Sequence, residues 1–153
     1  MREVEGVELD EVTGLPSLPS MIARLDALLA EGRRPAVYVL AVDGYDVLAA
    51  RDPEGARESM REAAQRLDRL VRSSDVLGTV QPGTFILVGA GIEPAVAGSL
   101  VERIQGALAF PMDVGGESLS LRVDIGVAFS TAGSVSRDLV ESAGADLRRS
   151  RPQ

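Results

Sequence analysis

The feature that most constrains the fold of this chain is a pair of β-prone runs, Val76–Val80 and Thr84–Val88, on either side of a Pro-Gly pair. The φ angle of Pro82 already suits the second position of a tight turn, and Gly83 accepts the positive φ of the third position. The stretch therefore predicts a β-hairpin. It follows a long helical pattern that ends in Arg72-Ser73-Ser74-Asp75.

The other elements are predicted from hydrophobic periodicity. The continuous apolar run Ala36–Val42 is typical of a central strand that is buried on both faces. Gly115-Gly116 predicts a turn that leads into an alternating strand, Leu119–Phe129. Apolar residues at helical spacing predict four helices: one capped by Ser20 and ended by Gly32, one from Pro53 to about Val71, one over Glu93–Leu108 and one over about Ser136–Arg149.

Composition limits the chemistry that is open to the chain. It has 153 residues, enough for one domain, and no apolar run approaches the roughly 20 residues of a membrane-spanning helix. No signal peptide opens the chain, so it is expected to be cytoplasmic and to make no contact with a membrane. Cysteine and histidine are absent, which excludes thiolate and imidazole metal sites. The net charge of −7 argues against nucleic acid as a partner.

Three motifs at matching spacings resemble the GGDEF domain of diguanylate cyclases. Gln81–Phe85 stands where that family has Gly-Gly-Asp-Glu-Phe, Asp10–Leu15 is similar to its Asp-x-Leu-Thr-Gly-Leu motif, and Val123–Val127 resembles its Val-Ser-Ile-Gly-Val strand. The resemblance implies an α/β sandwich like that of nucleotide-cyclase catalytic domains, with a central, mostly antiparallel sheet flanked by helices. It places this domain at residues 10–153, after an acidic N-terminal lead-in at residues 1–9.

The same resemblance implies that the chain is not an enzyme. A diguanylate cyclase joins two GTP molecules, and its metal-assisted chemistry needs carboxylates that hold the cations. The matching positions here are Ala41, in place of the first Asp of an Asp-x-Asp motif, and Gly83, in place of the third hairpin residue. Thr84 replaces the family's glutamate, Pro82 removes a backbone N–H at the phosphate-binding turn, and Asp46 replaces a lysine. No metal ion and no cofactor are therefore expected.

Two acidic residues remain at positions that match the family's nucleotide site. Asp43 is the second acid of the Asp-x-Asp motif, and Glu58 falls where an acidic guanine-binding residue would be. One interpretation is a residual nucleotide site at Asp43 and Glu58. The other interpretation, which we favour, is that Asp43 closes a strand and Glu58 faces water.

A second site of the family matches more completely. Many diguanylate cyclases bind their product, cyclic di-GMP (c-di-GMP), at an inhibitory site formed by an Arg-x-x-Asp five residues before the hairpin motif, with an arginine from the next helix. Arg72 and Asp75 have that spacing here, and Arg103 lies in a matching Val-Glu-Arg-Ile segment. Arginine suits phosphate and guanine acceptor groups, and a carboxylate accepts from guanine N–H groups. The alternative is that Arg72 and Asp75 form only an ion pair at a helix end.

These observations lead to two hypotheses for a bacterial signalling domain. The first is a catalytically inactive receptor that binds cyclic di-GMP through Arg72, Asp75 and Arg103. The alternative is a module that binds no nucleotide and serves for homodimer formation or for docking to another signalling protein. An active enzyme is the least favoured hypothesis. Measuring the binding of cyclic di-GMP and of GTP distinguishes all three.

Overall fold

The computed structural model describes residues 2–4, 7–90 and 94–150. These ranges contain both helices and strands, and most of them lie where the periodicity of the sequence predicts them. The elements of the described residues are β1 (Arg2–Val4), β2 (Val7–Leu9), α1 (Leu18–Ala30), β3 (Pro35–Val42), α2 (Tyr45–Arg51), α3 (Pro53–Leu70), β4 (Val76–Gln81), β5 (Thr84–Ala90), α4 (Pro94–Ala109), β6 (Met112–Val114), β7 (Glu117–Leu119), β8 (Val123–Phe129) and α5 (Ser136–Ser150).

The central sheet has the strand order β4-β5-β3-β8, and each neighbouring pair is antiparallel. β3 lies inside the sheet, where Val39 is opposite Ile86 of β5 and Gly126 of β8. Every residue of β3 is buried, as expected for a strand that is covered on both faces. β4 and β5 form a hairpin, and Gly83 in its turn has a φ angle of +84°. The α/β architecture, the central strand and the hairpin confirm the predictions.

Helices cover both faces of the sheet and form two hydrophobic cores. On one face, alternate residues of β3 such as Tyr38 and Leu40 pack with apolar residues of α3 and α4. On the other face, Val37 and Val39 pack with α1 and α5. α5 lies so close to β8 that a Cβ atom on Gly126 would collide with the backbone of α5. Because α3 and α4 both pack against the first face, they lie on the same side of the sheet, and their side chains can meet.

The predicted helices differ from the structure in local details. α1 begins at Leu18, and Ser20 does not cap it, because the Ser20 hydroxyl accepts instead from the Glu8 backbone N–H at 3.2 Å. The short helix α2 between β3 and α3 was not predicted. The predicted start of the third helix at Glu93 lies outside the described residues, and α4 is described from Pro94 onward.

The prediction of one continuous strand over Leu119–Phe129 is wrong. The structure divides this stretch into β7, which forms a small hairpin with β6, and β8 of the central sheet. Between them, the backbone N–H of Leu121 donates to the carbonyl of Leu108 in α4 at 3.0 Å. A residue that is hydrogen-bonded to a helix end cannot at the same time continue the sheet ladder, so the strand is interrupted there.

The predicted lead-in at residues 1–9 includes two short strands. β1 and β2 pair as a two-stranded ribbon, and the segment after them lies along the outer edge of β4. Its Pro16 carbonyl accepts from the Thr79 N–H at 2.8 Å, while the Asp10 carboxylate accepts from the N–H and hydroxyl of Thr13. This segment protects an edge strand from pairing with other chains.

None of the described helices combines the length and the apolar composition that crossing a bilayer requires.

Candidate functional site

Two concave surfaces contain most of the residues that the sequence singled out. The first, named here the hairpin cleft, lies between the end of β3, the start of α2 and the β4–β5 turn, and has a volume of about 550 Å³. The second, named the helix depression, lies between the C-terminal end of α3 and one side of α4, and has a volume of about 340 Å³. The hairpin cleft contains the positions that match cyclase metal ligands, and the helix depression contains the Arg-x-x-Asp motif.

The hairpin cleft is lined by the carboxylates of Asp43, Asp46 and Asp124. Ala41 is in register with Thr84 of β5 on one side and with Asp124 of β8 on the other. Asp43 lines the cleft at the end of β3, and its backbone N–H donates to the carbonyl of Arg122 at 2.8 Å. Within residues 2–4, 7–90 and 94–150, no three His, Cys, Asp or Glu side chains are placed to share a metal ion.

Asp124 is a cleft residue that sequence reasoning missed. It is only 9% exposed and lies 3.8 Å from the guanidinium of Arg122. The sequence does mark this residue, because Asp124 interrupts the otherwise apolar strand Val123–Phe129. Since the register places Asp124 beside Ala41, the neighbouring strand carries a carboxylate at the level where β3 has none.

The tip of the hairpin leaves no room for a side chain at position 83. Gly83 has a φ angle of +84°, which residues with a Cβ atom rarely adopt. In addition, a Cβ atom at this position would lie 2.5 Å from the ring carbon Cγ of Tyr45. Tyr45 therefore occupies the space into which an acidic side chain on the turn would extend.

The structure does not bring Asp43 and Glu58 together. Both residues are exposed, but Glu58 lies on α3 and is not among the residues that line the hairpin cleft. Asp43 follows directly after the last residue of β3. Asp43 thus closes a strand and Glu58 faces water, while the residual nucleotide site stays an untested hypothesis.

Arg72, Asp75 and Arg103 do converge, because α3 and α4 pack on the same face of the sheet. All three line the helix depression. The motif Arg72–Asp75 lies in the connection between α3 and β4, while Arg103 projects from the middle of α4. The other residues that line the depression are mostly apolar: Leu70, Val96, Ser99 and Leu100.

Arg72 and Asp75 form an ion pair in the structure. The Asp75 carboxylate accepts from the backbone N–H of Arg72 at 3.0 Å and from its guanidinium at 3.3 and 3.4 Å. The two side chains differ sharply in exposure, since that of Arg72 is 58% exposed and that of Asp75 is 3% exposed. The guanidinium therefore faces the solvent above a carboxylate that is almost completely covered.

The phenol of Tyr38 lies close to this ion pair and was not singled out from the sequence. Tyr38 is fully buried, and its hydroxyl has no hydrogen-bond partner among the described residues. Burial raises the pKa of Tyr38 most, and the negative charge of Asp75 raises it further, while the positive charge of Arg72 lowers it. Tyr38 is therefore within electrostatic reach of both members of the pair.

Comparisons with known proteins agree with this architecture. The family model for the GGDEF domain of diguanylate cyclases matches residues 7–153. An uncharacterized protein from Mycobacterium tuberculosis is 30% identical over 128 residues, which cover 81% of this chain and 20% of that protein. This chain thus spans about a fifth of the length of the curated relatives that it matches.

Solved structures have the same fold. A sensory box/GGDEF family protein from Caulobacter crescentus CB15 superposes with a TM-score of 0.80 at 27% identity, covering 93% of this chain and 96% of that one. The GGDEF domain of DgcB from Caulobacter crescentus, solved in complex with c-di-GMP, superposes with a TM-score of 0.87 at 18% identity, covering 98% and 92%. The fold is that of a cyclase-like α/β signalling domain. The chain belongs to the GGDEF domain family.

Proposed function

We propose that this GGDEF domain is a receptor for cyclic di-GMP and has no diguanylate cyclase activity. The observation that carries the proposal is the helix depression, in which Arg72, Asp75 and Arg103 line one surface of about 340 Å³. In a protein with a net charge of −7, an anionic ligand needs such a local group of arginines, because the overall field repels it.

The chemistry of the depression suits a ligand that has both phosphates and bases. Arg72 and Arg103 are exposed, and a guanidinium pairs well with phosphate oxygens or with the acceptor edge of guanine. Leu70, Val96 and Leu100 provide an apolar surface against which a purine ring packs. A relative with the same fold, the GGDEF domain of DgcB, was solved in complex with c-di-GMP, which supports the choice of ligand.

Binding requires Arg72 to exchange one partner for another. Its guanidinium is more than half exposed, so solvent screens that side of the pair, whereas the Asp75 side chain is 3% exposed. A charge-assisted hydrogen bond to a phosphate contributes about 1.5–3 kcal/mol. A phosphate therefore competes with Asp75 for Arg72 when the Asp75 carboxylate gains another donor, such as a guanine N–H group.

The proposed lack of catalysis rests on the hairpin cleft. Ala41 has no metal-binding group, and Gly83 cannot be replaced by an acid without a clash with Tyr45. The carboxylates that line the cleft belong to Asp43, Asp46 and Asp124. No three of the described His, Cys, Asp or Glu side chains are placed to share one cation, which supports a cleft without the metal ions that neutralise the triphosphate of GTP.

Isothermal titration calorimetry with cyclic di-GMP tests the receptor proposal. Arg72→Ala should weaken binding tenfold or more, the equivalent of one charge-assisted hydrogen bond, and Arg103→Ala by a similar or smaller factor. Asp75→Ala should reduce the preference for guanine over adenine, measured with cyclic di-AMP as the second ligand. Arg69→Ala is the matched control, because Arg69 is also exposed near the end of α3 but does not line the depression.

The outcomes separate the two hypotheses. An unchanged affinity for Arg69→Ala together with the losses in Arg72→Ala and Arg103→Ala supports a specific site. No saturable binding to the folded wild-type domain at high micromolar cyclic di-GMP rejects the receptor. The nucleotide-free module, which forms a homodimer or docks to another signalling protein, would then take its place.

A separate assay tests the absence of catalysis. Purified protein that is incubated with GTP and Mg²⁺ or Mn²⁺ should form no cyclic di-GMP, as monitored by chromatography. Ala41→Asp alone should not restore turnover, because the acid on the hairpin turn would still be missing. Turnover that disappears in Asp43→Ala would overturn the proposal, since it would assign a catalytic function to the hairpin cleft.

A further inference from the structure

Tyr38 has an unusual position beneath the helix depression. Its side chain belongs to the hydrophobic core between the sheet, α3 and α4, which also includes Leu100 and contacts Leu70. Those two leucines also line the depression, so Tyr38 belongs to the core that lies beneath it. Across the sheet, Tyr38 is opposite Leu87, which is opposite Leu77, and Asp75 lies two residues before Leu77. The hydroxyl is fully buried and has no hydrogen-bond partner in the part of the chain that the structure describes. A buried hydroxyl without a partner is unfavourable, and one is seldom retained where a phenylalanine would fit.

Asp75 is a buried acceptor that depends on one residue for its hydrogen-bond donors. Its side chain is 3% exposed, and among the described residues its carboxylate accepts hydrogen bonds from Arg72, through the guanidinium and the backbone N–H. If the guanidinium of Arg72 turned toward a ligand, the carboxylate would keep only the backbone N–H. A buried carboxylate that loses its main donors is strongly destabilised unless another donor replaces them.

We propose that the Tyr38 hydroxyl is a reserve hydrogen-bond donor for Asp75, which pairs with the carboxylate when the Arg72 side chain turns outward to bind a phosphate. The movement of Arg72 toward a bound phosphate rests on the proposed function. The ability of the Tyr38 hydroxyl to pair with Asp75 does not. Tyr38 is in this view a positioning residue: it does not touch the ligand, and it holds Asp75 in place for it. The exchange gives the buried hydroxyl and the buried carboxylate a partner in the same step.

The pairing can be tested without any ligand by removing the side chain of Arg72. In protein labelled with ¹³C at the tyrosine Cζ, NMR should show two resonances, since the chain has two tyrosines, and Tyr38→Phe assigns them. In Arg72→Ala the Tyr38 resonance should shift because its hydroxyl now donates to Asp75. The Tyr45 resonance is the internal control and should stay in place. A Tyr38 resonance that does not move in Arg72→Ala would overturn the proposal.

Thermal unfolding provides a second test that does not depend on labelling. Arg72→Ala should lower the melting temperature at least twice as much in the Tyr38→Phe background as in the wild type, because Asp75 then has no reserve donor. The same Arg72→Ala change in a Tyr45→Phe background should have the wild-type effect. Equal losses in all three backgrounds would contradict the proposal.

Ligand binding tests whether a bound phosphate draws Arg72 away from Asp75. If cyclic di-GMP binds to the wild type, Tyr38→Phe should weaken it threefold to tenfold, although the melting temperature of the unliganded variant stays the same or rises. An unchanged affinity in Tyr38→Phe would reject the role of Tyr38 in binding. If the wild type does not bind cyclic di-GMP, the receptor proposal fails, while the two ligand-free measurements still decide whether Tyr38 replaces Arg72 at Asp75.

Discussion

Arg66 links the two helices that form the helix depression, so its removal tests how the depression is held together. From α3, the guanidinium donates to three backbone carbonyls at the end of α4 and just after it, those of Ala107 at 2.8 Å, Phe110 at 2.5 Å and Pro111 at 3.1 Å. It also pairs with Glu62 at 2.9 Å and lies 5.8 Å from the centre of the Phe110 ring. Carbonyls at a helix end lack partners within the helix, and Arg66 supplies them.

The loss of stability expected for Arg66→Ala follows from these hydrogen bonds and their exposure. A hydrogen bond from a charged donor contributes about 1.5–3 kcal/mol, and the Arg66 side chain is only 13% exposed. The bonds to Phe110 and Pro111 are exposed, so water can replace the donor there and each contributes about 0.5–1 kcal/mol. We therefore expect Arg66→Ala to lower the free energy of unfolding by about 3 kcal/mol, which corresponds to a drop in melting temperature of about 6–12 °C.

Urea unfolding, followed by circular dichroism, measures this loss. Arg61→Ala on the same helix is the control, because Arg61 is 45% exposed and forms an exposed ion pair with Glu54, so its removal should change stability by less than about 0.5 kcal/mol. Arg66→Lys should restore less than half of the loss, since an ammonium group cannot match the planar fork. A loss below about 1 kcal/mol for Arg66→Ala, or equal losses for the two alanine variants, would refute the reasoning.

Three further predictions concern the sheet and its turn. Gly83→Glu should reduce stability by about 1–3 kcal/mol because of its positive φ and the contact with Tyr45, and Gly83→Glu/Tyr45→Ala should recover part of the loss in urea melts. Gly126→Ala should reduce stability by about 3 kcal/mol by pushing α5 from β8, and an unchanged denaturation midpoint would contradict the close packing. The pKa of Tyr38 is raised by burial and then by Asp75, so the folded state holds this proton more tightly than the unfolded chain. Stability should be complete below pH about 10 and decline as the pH rises above it, and this decline should be weaker in Tyr38→Phe.

The sequence by itself determined the elements that depend on local chemistry. The turn at Pro82-Gly83 needs only the φ preferences of its two residues, and the hairpin forms where they predict it. The uninterrupted apolar run of β3 predicts burial on both faces, because neither side of the strand offers a polar residue to water. The last helix, predicted over about Ser136–Arg149, is α5 at Ser136–Ser150 for the same reason of periodicity.

Local patterns in the sequence also indicated where the two candidate sites lie. The spacing of Arg72, Asp75 and Arg103 marked one surface, and the missing acids at Ala41 and Gly83 marked another. The sequence left open whether the two arginines converge, because that depends on which side of the sheet each helix packs. It also left two interpretations of Arg72 and Asp75, a ligand site and a helix-end ion pair.

Only the tertiary structure decided whether the arginines converge, while the ligand site itself stays a prediction. α3 and α4 pack on one face, which brings Arg103 to Arg72, and the break before β8 arises because Leu121 bonds to α4 instead of to a strand. The sequence also did not show that Asp75 is buried, or that the Tyr38 hydroxyl has no partner among the described residues. Each of these features depends on contacts between residues far apart in the chain. Sequence periodicity records which face of an element is apolar, but it does not record which other element will cover that face.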